Sequence, residues 1–169
     1  SIPKRFENVK YEDVPKEIQS LFEKIPQTRR GIYIYGPVGT GKTHIAYALK
    51  NAWDRPEQAT PEGHKPGRYS RFHNMTELLR EIRLDFDRQP NDKLGYDEDL
   101  LKDARLAILD DFGAEKVTDW VAETLYLIIN KRYNDMIPTI FTSNLPLADL
   151  ADRIGDRTVS RIIEMCDEV

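Results

Sequence analysis

Short apolar runs separated by longer amphipathic stretches set the rhythm of this chain. Gly31-Ile32-Tyr33-Ile34-Tyr35 reads as a first strand, and the helical pattern after it runs to about Trp53. Arg68-Tyr69-Ser70-Arg71-Phe72 reads as a second strand, followed by an amphipathic helix from about Thr76 to Arg88. Thr76 is its expected N-cap, with Glu77 leaving the capping box incomplete. Leu106-Ala107-Ile108-Leu109 is continuously apolar, the pattern of a strand covered on both faces of a parallel sheet. A long helix is expected over roughly 118–134, with Val121, Leu125, Ile128 and Ile129 at helical spacing. Ile137–Thr142 forms the next strand, and short helices fill 147–154 and 157–166. Residues 1–30 read as an extended arm with one short helix, and 54–67 and 89–99 as loops. Strands alternating with helices predict a parallel α/β sheet.

The join between the first strand and its helix carries the chemistry. Gly36-Pro37-Val38-Gly39-Thr40-Gly41-Lys42-Thr43 is a complete G-x-x-x-x-G-K-T loop between strand and helix. Its glycines let the backbone approach a phosphate chain closely and adopt torsions closed to other residues. The helix N-terminus that follows, at Thr43 and His44, presents unpaired N–H groups to the same anion. Lys42 then reaches the β- and γ-phosphates and the Thr43 hydroxyl ligates Mg²⁺. The expected ligand is a nucleoside triphosphate.

Composition narrows the class. The 169 residues suit one domain, with 40% hydrophobic and 32% charged positions. A net charge of −4 excludes coating of nucleic acid by bulk electrostatics but leaves room for a local basic patch. The single cysteine, Cys166, excludes an intrachain disulfide framework and a cysteine-rich zinc site. No apolar run is long enough for a membrane span and no signal-peptide pattern opens the chain, so the cytoplasm is the expected address. A start at Ser1 and an abrupt stop at Val169 read as cuts within a longer protein.

Beyond the glycine loop, the third strand ends in Asp110-Asp111. Asp110 suits the Mg²⁺ and Asp111 the polarisation of an attacking water; the alternative is a pair of helix-capping aspartates. Asp111 is one methylene shorter than a glutamate, which implies slow hydrolysis, and Glu115 is a weaker substitute. Asn144 at the tip of the fourth strand is placed to touch a γ-phosphate, or else simply ends the strand in a turn. Arg153, Arg157 and Arg161 would share one helical stripe unless Gly155 breaks it. That stripe is either a solvated face or a source of charge for a neighbouring subunit's phosphate.

Leu106–Lys116, Pro138–Leu147 and Asp156–Ile163 together resemble the AAA+ ATPases of the DnaC/DnaI/IstB type, bacterial and phage helicase loaders and transposition helper ATPases. The resemblance covers about residues 2–166. It implies a P-loop NTPase fold, three layers α/β/α around a parallel sheet of order 5-1-4-3-2. It also implies ATP/ADP and Mg²⁺ as cofactors, homo-oligomers with ATP at subunit interfaces, and single-stranded DNA and a replicative helicase or transposase as partners. On matching positions, residues 36–44 bind phosphate, Thr43 and Asp110 hold the metal, Asp111 takes the catalytic place, Asn144 is the γ-phosphate sensor and Arg161 the arginine finger. The expected division is an arm or linker over 1–30 and an ATPase domain over 31–169, truncated so that the last strand and any second sensor are missing.

The remaining candidates divide more simply. His44 faces the first turn of the helix and reads as packing before catalysis, His64 and His73 lack partners at metal-ligand spacing, and Trp53 and Trp120 read as core or groove packing. Phe6 or Tyr11, with Arg5, is the expected lining of a base pocket, by analogy with the arm in similar proteins. Lys116, Arg71 and Arg80 are scattered basic candidates for DNA contact. Two rival functions remain beside the ATPase: a P-loop kinase acting on a small acceptor, and a nucleotide-sensing scaffold with little turnover.

Overall fold

The computed structural model describes residues 2–55, 70–87 and 104–169. The expected loops at 54–67 and 89–99 lie outside the described residues, apart from Asp54 and Arg55. Five strands, β1 (Gly31–Tyr35), β2 (Ser70–Asn74), β3 (Leu106–Asp110), β4 (Thr139–Ser143) and β5 (Cys166–Glu168), form one parallel sheet in the order β2-β3-β4-β1-β5. This is the expected order, including the last strand that was expected to be missing. Cys166-Asp167-Glu168 carries no apolar alternation, so the strand exists through its partners. Val169 N–H donates to Tyr33 O and Tyr35 N–H to Val169 O. Arg30 clamps the same segment, its guanidinium donating to Asp167 Oδ1 at 3.2 Å and to the Glu164 and Cys166 carbonyls at 2.9 Å.

Among the described residues the α-helices are α1 (Lys16–Thr28), α2 (Lys42–Asp54), α3 (Met75–Phe86), α4 (Asp119–Asn134), α5 (Ala151–Ile154) and α6 (Asp156–Met165). Alternation along the buried strands feeds two cores, one on each face. Ile32, Ile34, Leu106, Ile108 and Ile140 pack with α1 and α2. Tyr33, Ala107, Leu109 and Phe141 pack with α3, α4 and α6. The result is the expected three layers. The arm is not extended: two single 3₁₀ turns, Lys4–Phe6 and Tyr11–Asp13, precede α1.

Two local details differ from the sequence expectation. The α3 cap is Asn74 rather than Thr76, its side chain accepting from Glu77 N–H at 3.3 Å. β2 runs two residues further than the polar pattern suggests, which moves the cap and places Glu77 at the third helical position. Gly31 begins β1 so close to β4 that a Cβ there would stand 2.0 Å from the Thr139 carbonyl oxygen.

Candidate active site

The C-terminal ends of β1, β3 and β4 and the N-terminus of α2 meet at one cleft of about 560 Å³. In a parallel sheet this is the edge at which strand ends and helix N-termini converge on ligands. Val38, Gly39, Gly41, Lys42, Thr43, His44, Asp110, Asp111 and Asn144 line it, together with Arg5, Phe6, Asn74 and Thr142. Most of the residues singled out in the sequence are therefore neighbours in space.

The loop has the backbone its glycines permit. Gly39 and Gly41 both sit at φ +83°, in the left-handed region, and Gly41 is the N-cap of α2. Gly36, Pro37 and Thr40 build the turn: Thr40 Oγ1 donates to Pro37 O at 2.8 Å. Lys42 Nζ donates to the Gly36 and Pro37 carbonyls at 2.7 Å and to Thr40 Oγ1 at 3.2 Å. Burial lowers the Lys42 pKa, and the nearby Asp111 and Asp110 carboxylates oppose that shift.

Asp110 ends β3 and is 3% exposed. Thr43 Oγ1 donates to its Oδ2 at 3.1 Å and Thr142 Oγ1 to its Oδ1 at 2.5 Å. One carboxylate and one hydroxyl, both hard oxygen donors beside an anion-binding helix end, fit Mg²⁺, which keeps waters and phosphate oxygens as its other ligands. Burial raises the Asp110 pKa, the two threonine hydrogen bonds counter it, and the Asp111 charge adds to the rise. A carboxyl whose folded pKa lies above its unfolded value destabilises the fold once pH exceeds the ordinary carboxylate range. Asp110→Asn is therefore expected to raise the melting temperature at pH 7. The gain should shrink as pH falls towards 4 (roughly the ordinary carboxylate range), a trend that calorimetry in the absence of nucleotide measures.

Asp111 leaves the strand at φ +60°, a left-handed turn that a short polar side chain tolerates. Its N–H donates to Thr142 Oγ1 at 2.9 Å. Asn144 stands exposed one residue beyond β4. Glu115 is turned elsewhere, paired with Arg83 at 3.3 Å.

Arg161 does not line this cleft. Its Nε donates to Asn130 Oδ1 at 3.0 Å and its guanidinium lies 4.8 Å from the Tyr133 ring centre. Arg157 covers the Tyr126 ring at 4.0 Å, so both arginines lie on α4 side chains. Gly155, at φ +96°, separates α5 from α6 and removes Arg153 from the stripe. Arg153 donates instead to Ala114 O at 3.1 Å.

The arm packs beside the glycine loop, with Arg5 and Phe6 among the residues lining the cleft. Phe6 stacks on Tyr47, with ring centres 4.6 Å apart, and Tyr47 stacks on Phe72 at 4.1 Å. Exposed His44 meets the Phe6 edge at 4.9 Å. The Tyr11 hydroxyl donates to Glu23. Beside the glycine loop, a more apolar cavity of about 290 Å³ is lined by Val9, Lys10, Val14, Ile45 and Ala48, together with Thr40, Gly41 and His44 of the loop and α2. Those arm valines were missed because two isolated β-branched residues carry no periodic signal.

Of the two tryptophans, Trp53 is buried as expected. Trp120 is 40% exposed and faces Phe86, itself 59% exposed, with ring centres 4.6 Å apart. Trp120 therefore packs at the surface and not in the core. No helix among the described residues is long and apolar enough to cross a membrane.

Comparison with known proteins agrees with this architecture. The family model described as IstB-like ATP binding protein matches residues 6–167. The replicative helicase loader DnaI of Bacillus subtilis is 30% identical over 117 residues, covering 68% of this chain and 33% of that protein. The phage-like element PBSX protein XkdC of the same organism is 28% identical over 160 residues, covering 90% and 54%. The chain thus spans a third to about half the length of these relatives. The crystal structure of the DnaC helicase loader superposes with a TM-score of 0.76 at 26% identity, covering 98% of each chain.

Proposed function

Because the chain belongs to the IstB-like ATP-binding protein family, with the AAA+ fold of the helicase loaders, we propose that it is the ATP-hydrolysing module of a DnaC-like replicative helicase loader. The observation that carries this reading is the convergence of Lys42, Thr43, Asp110, Asp111 and Asn144 on one cleft at a helix N-terminus. The 290 Å³ cavity takes the adenine, its apolar lining suiting a flat ring beside the loop. Thr43 and Asp110 hold Mg²⁺, which when bound screens the charge of the phosphates. Lys42 leaves its carbonyls for the β- and γ-phosphate oxygens, and Asn144 orients the terminal phosphoryl group. Water attacks the γ-phosphorus in line; the bond to the bridging oxygen breaks, ADP keeps that electron pair, and Asp111 takes the proton from water.

Arg161 completes a neighbouring subunit's site in this proposal, since it lies outside the cleft of its own chain. Arg161→Ala is expected to bind ATP normally and to lose hydrolysis by about a hundredfold or more, while Lys42→Ala loses both. Mixing the two variants should restore part of the turnover, because one subunit then supplies the loop and the other the arginine. Normal hydrolysis by Arg161→Ala alone would sink the inter-subunit arrangement.

Single-stranded DNA is assigned to the Phe86–Trp120 pair. Exposed rings offer sequence-tolerant stacking surfaces, and exposed Lys116 adds a cation four residues before Trp120. Trp120→Ala is expected to weaken single-strand binding by about tenfold with ATP affinity unchanged, as fluorescence anisotropy would show. The resemblance to the IstB type supports a second reading, a helper ATPase for a transposase. Stimulation of turnover by a replicative helicase, and not by a transposase, selects the first.

A further inference from the structure

We propose that Thr142 is the positioning residue that sets both carboxylates of the ATPase centre, an inference that rests on the hydrolytic reading of the cleft. Thr142 is 1% exposed, near the end of β4. A hydroxyl has one proton to give and lone pairs to receive, and both capacities are used here. Thr142 Oγ1 donates to Asp110 Oδ1 at 2.5 Å and accepts Asp111 N–H at 2.9 Å. Its backbone carbonyl accepts Phe112 N–H at 2.7 Å. One residue therefore grips three consecutive positions: a side chain, an amide and a second amide.

Each grip has a chemical consequence. Asp110 is held from α2 by Thr43 and from β4 by Thr142. Thr43 is also a candidate metal ligand, so its oxygen must serve the cation, whereas Thr142 is free to hold the carboxylate in one orientation. Asp111 lines the cleft with its backbone bent into the left-handed region, a conformation that ordinary residues avoid. The Thr142 oxygen captures the amide in that bend and keeps the Asp111 carboxylate on the phosphate side. Ser143 ties the same corner to the glycine loop, accepting Gly36 N–H on its carbonyl at 3.1 Å and donating through Oγ to Phe112 O at 2.6 Å. Asn144 follows directly. The end of β4 thus fixes the loop, the two carboxylates and the phosphate sensor as one unit, with the Thr142 hydroxyl at its centre.

The test compares Thr142→Val, which keeps the shape and removes the hydroxyl, with Thr142→Ser, which keeps the hydroxyl. Thr142→Ala is a smaller hydroxyl-free variant in case valine perturbs folding, which thermal melting reports. A fluorescent ATP analogue is titrated with and without Mg²⁺, and turnover is followed across a Mg²⁺ series. Metal-free nucleotide affinity should match wild type in all three variants. The hydroxyl-free variants should lose about tenfold of the Mg²⁺-dependent tightening and a similar factor in kcat, and serine should restore both. Wild-type Mg²⁺ dependence in Thr142→Val or Thr142→Ala, or a serine variant as impaired as they are, overturns the proposal. A wild-type protein whose nucleotide binding ignores Mg²⁺ overturns the hydrolytic reading itself.

Discussion

Asp111→Asn is expected to bind ATP as tightly as the wild type and to turn it over about 10²–10⁴-fold more slowly, the usual worth of a positioned general base. Asparagine matches the aspartate in size and also tolerates the left-handed backbone found at this position. The substitution therefore leaves the hydrogen bond from the residue 111 amide to Thr142 in place and removes only the proton acceptor. Lys42, Thr43 and Asp110, the groups assigned to the phosphates and metal, are untouched. Phosphate release in a single turnover, measured beside equilibrium binding of a fluorescent nucleotide, separates the two effects. Turnover within a factor of about three of wild type, far below the loss expected for a general base, would show that another group takes the proton.

The second large effect concerns the fold. Gly31→Ala is expected to cost at least about 3 kcal/mol, at the upper end for overpacking a core. The new methyl would lie 2.0 Å from the Thr139 carbonyl oxygen and 3.0 Å from Cys166 Sγ. The first contact is with backbone, so no rotamer change relieves it. β1 lies between β4 and β5, and pushing Gly31 away from β4 drives it into Cys166 on the other side. Because β1 leads into the glycine loop, nucleotide affinity should fall together with the urea midpoint. A midpoint equal to wild type would mean that the sheet accommodates the methyl by a shift the present packing does not suggest.

The parts of the molecule legible in the sequence are those whose signal is local. β3 shows as four apolar residues followed by two carboxylates, and all five of its positions are buried. The helical spacing bounds the long helix at 118–134, and Thr118 caps it, accepting from Val121 N–H. The glycine loop carries its geometry in its spelling. What was missed depends on contacts between distant residues. β5 is three residues long and is recognisable only once Arg30 and β1 are beside it. Trp120 looks like core material by residue type, yet its place in the first turn of α4 leaves it against Phe86 at the surface. Thr142 reads as one more β-branched strand residue, and its role lies in two hydrogen bonds to residues more than thirty positions earlier.

The internal bonding of Lys42 bears on which anions the loop admits. Its ammonium already holds two carbonyl oxygens at 2.7 Å, so any incoming ion must replace those bonds before it gains anything from the charge. Inorganic phosphate or sulfate offers one compact cluster of oxygens and competes poorly with that arrangement. A triphosphate bound as proposed would span the loop amides, the α2 N-terminus and the lysine at once, so its gain from several donors would outweigh the loss. In the proposed ATP site those lysine contacts would set a threshold that a chain of phosphates clears more readily than a small anion.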